Sequence, residues 1–178
     1  KHARLRDENR IGPEGPKVGA LFDLDQTLVA GFSATSFFRE RFLSGRMAPR
    51  EIVESLQGAL SFAAGRTGFS GMMSATAAAF RGMAETVLEE VGEEVFQKHL
   101  ATQIYPEARA LVEAHQEMGH TVAIVSSATP YQAEPLARDM GILHVLCTRL
   151  EVKKGVFTGR VVHPTCWGEG KAEAAREL

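Results

Sequence analysis

The sequence predicts an α/β fold, a parallel sheet carrying an all-helical insertion, and three stretches carry that expectation. Residues 18–29, VGALFDLDQTLV, form an apolar run that ends in two aspartates. Residues 120–125, HTVAIV, are a mostly β-branched run. Between them lie about seventy residues, roughly 33–103, with helical periodicity. Short continuous apolar runs are the pattern of strands covered on both faces of a parallel sheet. Strand, helix and strand in sequence imply right-handed crossovers. A crossover needs only about a dozen residues, so the long helical stretch is an inserted subdomain rather than a connector.

Composition bounds the answer. The chain has 178 residues, 44% of them hydrophobic, enough for one compact core and a small accessory unit. Basic and acidic residues number 20 and 22, for a net charge of −2, so no basic face or tail points to nucleic acid. Cys147 and Cys166 lack CxxC or Cys/His zinc spacing and read as free thiols of a reducing compartment. The six histidines show no HExxH or paired spacing. No apolar run approaches the ~18 residues of a transmembrane helix, and no signal-peptide h-region is present. A soluble cytoplasmic domain is the expectation.

Taken in order, residues 1–16, charged and then Gly/Pro-rich, read as a flexible arm or linker. Residues 17–32 hold the first strand and its acidic end. In the insertion, 33–103, Phe37, Phe38, Phe42 and Leu43 share one apolar face, and Pro49 opens a second helix. Ile52, Val53, Leu56, Ala59, Leu60 and Ala63 continue at helical spacing. After a Gly-rich break at 65–71, Met72, Met73, Ala77 and Phe80 mark a third helix, and 84–103 a last one. Residues 104–178 restore the alternation. A helix from Pro106 stops at Gly119. HTVAIV then leads into a helix ending near Met140, and 143–146 form a third strand. A hairpin turns across Lys153-Lys154-Gly155. Gly168-Glu169-Gly170-Lys171 opens a final helix.

The chemistry gathers at strand ends. Asp23 and Asp25 close the first apolar run, where open α/β sheets place their ligand sites. They are either turn or capping acids or a functional pair. Two carboxylates this close stay ionised only when a cation or donors neutralise them. Oxygen ligands with water and phosphate suit Mg²⁺, and a carboxylate can act as a nucleophile. Ser126 ends HTVAIV just before a helix. On position alone it reads as an N-cap serine, and with the free N–H groups of a helix start it can cradle phosphate. Lys171, alone, reads as a solvated lysine at a helix start. Arg66 and Arg81 read as surface arginines.

FDLDQTL resembles the first motif, DxDx(T/V), of the haloacid dehalogenase-like (HAD) phosphatase superfamily. Aspartates after one strand, a serine after the next and a Gly-Lys helix start follow the order of that superfamily's first three motifs, and the resemblance spans roughly 18–178. It implies a Rossmann-like core at 17–32 and 104–178 under a helical C1 cap at 33–103. It also implies Mg²⁺-dependent hydrolysis of a small phosphomonoester. Asp23 would be the nucleophile that becomes an aspartyl-phosphate, and Asp25 the general acid and base. Asp23 and Asp25 would hold the metal, Thr27 and Ser126 would contact phosphate, and Lys171 would offset charge. That division of labour fits phosphoryl transfer, which needs in-line attack, a metal and positive charge around the equatorial oxygens. The helical cap and the LEVKKGVFTGRV…GEGK segment resemble the phosphoserine-phosphatase-like branch.

Two departures stand out. Phosphoserine enzymes of that branch typically carry a glutamate nine residues after the nucleophile, where this chain has Phe32. An apolar ring cannot ion-pair with a substrate ammonium, so a more apolar ester is expected. The superfamily's fourth acidic motif should follow the Lys171 helix, and the sequence stops at Leu178. The expectation is therefore a chain lacking the C-terminal part of its core. The alternative is a non-catalytic HAD-like module of a longer polypeptide, with fusion to a phospholipid acyltransferase domain allowed by the resemblance. An apolar patch at Phe37, Phe38 and Phe42 would suit a homodimer or a peripheral membrane contact through the cap.

Overall fold

The computed structural model describes residues 12–178. The expected arm at 1–16 therefore falls largely outside the described residues. Its last residues lie against a helix end and the strand after it: Gly15 N–H donates to Met118 O at 3.0 Å, and the Thr121 hydroxyl donates to Pro16 O at 2.8 Å.

Among the described residues three strands form a parallel sheet, β1 (Gly19–Phe22), β2 (Thr121–Ser126) and β3 (His144–Cys147), in the order β1-β2-β3. Gly19 pairs with Thr121 and Phe22 with Ile124, while Ser126 pairs with Cys147. Ala123 and Ile124 are fully buried, as a continuous β-branched run in the middle of a sheet should be. The expectation of a buried first strand needs one correction. Ala20 and Phe22 face the core, whereas Leu21 is exposed. Among the described strands β1 pairs on one side only, and its side chains alternate accordingly.

Between β1 and β2 the chain runs through α1 (Ser33–Leu43), α2 (Pro49–Ala63), α3 (Phe69–Ala79), α4 (Glu85–Val95) and α5 (Pro106–Glu117). The helix expected at 84–103 is interrupted: α4 is followed by a π turn, Phe96–Leu100, and a 3₁₀ turn, Ala101–Gln103. The π turn widens the helix by one residue, which leaves both Phe96 and Leu100 in the core. Helix α6 (Pro130–Asp139) follows β2, opened by a capping box between Thr129 and Gln132. After β3 come the hairpin β4 (Leu150–Lys153) and β5 (Val156–Val161), then α7 (Glu169–Arg176). The hairpin turn has Lys154 at φ 54° and Gly155 at φ 75°, the positive pair that a two-residue turn of right-handed twist requires.

The apolar stripes of α1 and α2 do not face where periodicity suggested. Phe37 is buried, but Phe38, Phe42 and Leu43 are exposed, and so are Val53, Leu56 and Leu60 of α2. What α1 and α2 bury is a charged pair, Arg41 with Glu51, each 2% exposed. The Arg41 guanidinium also donates to Arg46 O at 3.0 Å and lies 5.0 Å from the centre of the Phe80 ring. Burying two charges is tolerable only because each is paired. Gly58 lets α2 approach α3, since a Cβ there would sit 3.0 Å from that of Ala75.

Helix α4 lies directly on the start of α6. A Cβ at Gly92 would lie 2.1 Å from Tyr131 O, so the two backbones touch. Gly92→Ala must push them apart, and overpacking of this kind costs about 1–3 kcal/mol. A lower urea midpoint at unchanged m is the expected result.

Candidate active site

At the end of β1 the fully buried Leu24 points into the core, so Asp23 and Asp25 on either side of it turn the other way. Leu24 O accepts the N–H groups of Thr27, Leu28 and Val29 at 3.4, 3.0 and 3.2 Å, which folds the chain back on itself. Gln26 takes a left-handed φ of 58° to make that turn. Both oxygens of Asp23 are engaged. Leu24 N–H donates to Oδ1 at 2.8 Å, and Lys171 Nζ donates to Oδ2 at 2.6 Å. Ser33 N–H, at the start of α1, donates to Asp25 Oδ1 at 2.7 Å.

Burial pushes the Asp25 carboxyl above its ordinary value of 3.8. The Ser33 N–H and hydroxyl and the Lys171 charge oppose that shift, and the Asp23 charge adds to it. The two acids therefore sit in different surroundings. Asp23 pairs with the Lys171 ammonium, whereas burial raises the Asp25 carboxyl.

Ser126 ends β2 and is 1% exposed, with its hydroxyl oxygen accepting Ala128 N–H at 3.2 Å. Burial raises the Cys166 thiol, which the Asp23 charge raises further and the Lys171 charge and the Ser126 backbone lower. Lys171 lies in the first turn of α7. That turn is tight: Gly170 N–H donates to Trp167 O at 3.0 Å, and a Cβ on Gly170 would sit 2.0 Å from Thr165 O. Among the residues singled out from sequence, Asp23, Asp25 and Lys171 thus converge, and Ser126 ends the neighbouring strand. Thr27 lies exposed in the turn beyond Asp25.

Two residues escaped the sequence reading. Ser33 holds Asp25 and in turn accepts Gln132 Nε2 at 3.4 Å, linking α1 to α6. Gln132 was legible only as the capping partner of Thr129.

The site suits a hard divalent cation in kind, since Asp23 and Asp25 offer carboxylate oxygens and Mg²⁺ is commonly held by one or two carboxylates with water and phosphate. Among the described residues no group of three or more His, Cys, Asp or Glu side chains could hold a metal by itself. A separate groove of about 610 Å³ beside α4, α6 and the hairpin, lined by Glu85, Glu89, Glu93 and Glu134 among others, contains none of these residues.

Both cysteines are free thiols. Burial pushes Cys147 up to about 12 and raises Cys166 as well. Native protein at pH 8 should take up no iodoacetamide over a period in which urea-unfolded protein takes up two equivalents, read by intact mass. Alkylation of the native chain would contradict the thiol environments described.

No helix among the described residues is long and apolar enough to cross a membrane. The sequence pattern of haloacid dehalogenase-like hydrolases matches residues 20–178. A phosphoserine phosphatase of Mycobacterium tuberculosis is 34% identical, over 96% of this chain and 56% of its own length. This chain likewise spans 57% of a probable phosphatase of the same organism at 30% identity, so it covers under two thirds of these relatives. Among solved structures, a Bordetella pertussis protein of unknown function superposes with a TM-score of 0.77 at 22% identity, over 90% of this chain and 72% of that one. With the motif order, the sheet and the match over most of its length, the chain belongs to the haloacid dehalogenase-like hydrolase family.

Proposed function

We propose that the chain hydrolyses phosphomonoesters through an aspartyl-phosphate on Asp23. The observation that carries this reading is the lysine 148 residues away in sequence whose ammonium reaches Asp23 at 2.6 Å, beside a second acid in a different environment. An Asp23 oxygen attacks phosphorus and the bond to the ester oxygen breaks. Asp25 gives a proton to the leaving alkoxide. Water then attacks the aspartyl-phosphate, Asp25 takes its proton, and phosphate leaves with Asp23 restored. Lys171 offsets charge on the carboxylate and the transferred group, while Ser126 and Thr27 supply hydroxyls to its oxygens. Mg²⁺, held by Asp23 and Asp25, would supply charge neutralisation at the phosphoryl oxygens. The helices between β1 and Ile104 serve as a cap that excludes water from the first step.

The relatives named for phosphoserine do not fix the substrate. Phe32, 58% exposed and next to the Ser33 that holds Asp25, offers an apolar surface to a leaving group. Esters with an apolar alcohol are the proposed class. Phosphate release from a panel running from phosphoserine to aryl and acyl-chain phosphates, with Asp23→Asn alongside, tests both parts of the reading. Release that persists in the variant would refute the mechanism, and a clear preference for phosphoserine would refute the substrate class.

A further inference from the structure

The turn that launches α7 is fastened to the helical insertion by an aromatic stack that the mechanism above does not use. The Trp167 ring lies on Phe69, at the first position of α3, with centroids 4.7 Å apart and planes 11° apart. Phe62, near the end of α2, meets both edge-on, at 6.4 Å from Trp167 and 6.5 Å from Phe69. One residue past Phe69, the Ser70 hydroxyl pairs with that of Thr165 at 2.9 Å. Two of the insertion's helices therefore grip residues 165–167 through rings and a hydrogen bond. Those residues are rigidly coupled to the catalytic lysine. Trp167 O accepts Gly170 N–H, Gly168 O accepts Lys171 N–H at 3.2 Å, and only a glycine fits at 170. Trp167 is 50% exposed, so the stack is not there to fill a core.

We propose that Trp167 is a positioning residue, through which the α2–α3 pair fixes where Lys171 meets Asp23; this rests on the phosphatase reading. The chain of contact runs from the Phe69 ring to the Trp167 ring, from the Trp167 carbonyl to the first turn of α7, and from there to the ammonium on Asp23. A lysine held on a short, half-exposed helix needs such a brace, because transition-state charge is stabilised only by a group already in place.

The test uses Trp167→Phe, Trp167→Ala and Phe69→Leu, the last keeping apolar volume while removing the ring. Trp167→Ala and Phe69→Leu should lower kcat about tenfold, the effect of a sub-ångström misplacement. KM should stay within about twofold, because substrate binding is not what is lost. Trp167→Phe, which can still stack, should keep most of the wild-type rate. Trp167 is the sole tryptophan, so its fluorescence gives a readout independent of turnover. Inorganic phosphate should shift the wild-type emission maximum, and Phe69→Leu should abolish that shift. Wild-type kcat in Phe69→Leu, or equal loss in Trp167→Phe and Trp167→Ala, would overturn the inference. A wild-type protein that turns over no ester refutes the phosphatase reading instead. In that case the emission arm decides: a phosphate shift lost in Phe69→Leu sustains the coupling, and a silent indole overturns it.

Discussion

Asp23→Asn is expected to lower phosphate release by at least about 10³-fold, the scale of losing a nucleophile whose partners cannot act without it. An amide cannot form the acyl phosphate. Its oxygen can still accept Leu24 N–H, and Lys171 is accessible enough for water to replace the lost carboxylate. The variant should therefore fold, with an unfolding transition close to that of the parent. A direct measure exists. Wild-type protein quenched in acid during turnover should carry one phosphoryl group that hydroxylamine removes, and Asp23→Asn should carry none. A label on another residue would place the nucleophile elsewhere.

Asp25→Asn should separate activity from stability. Its loss of rate should be about 10²–10⁴-fold for alkyl esters, whose alkoxide needs a proton. The loss should be much smaller with p-nitrophenyl phosphate, whose leaving group departs as an anion. Stability should move the other way. Burial raises the Asp25 carboxyl, so ionising it is harder in the folded chain than in the unfolded one. That penalty is absent below the unfolded value of 3.8 and is complete once pH has risen through the higher folded value. Asparagine keeps an oxygen for Ser33 N–H and carries no charge to bury. In metal-free buffer the variant should be more stable than the parent at pH 7, with the gap closing towards pH 4. Equal stability at both pH values would mean that Asp25 is well solvated in the folded state.

The sheet and its acidic end were legible because both rest on local pattern. Four of the six residues in HTVAIV are β-branched, and two aspartates after an apolar run mark a strand end whatever lies beyond. Lys171 was legible only by motif order, since nothing local distinguishes it from a surface lysine. The outward turn of the α2 stripe was not legible. Periodicity says that Val53, Leu56 and Leu60 share a side, but the buried Arg41–Glu51 pair decides which side faces inward. That pair joins residues on two helices whose individual charges look solvated. Ser33, Gln132 and Trp167 were missed as well. Gln132 meets Ser33 across 99 residues and Trp167 meets Phe69 from far along the chain, while the hold of Ser33 on Asp25 is local but carries no sequence signal.

Strand β5 does more than close a hairpin. Gly82 N–H donates to Phe157 O and Phe157 N–H to Met83 O, both at 2.9 Å, and Glu85 N–H donates to Gly155 O. The junction between α3 and α4 is thus woven by main-chain hydrogen bonds into a segment seventy residues downstream. The helices are therefore held to the core at a third place besides their two sequence ends. A chimera that takes 33–103 from a relative should have a higher urea midpoint when β4 and β5 travel with the helices than when they stay behind.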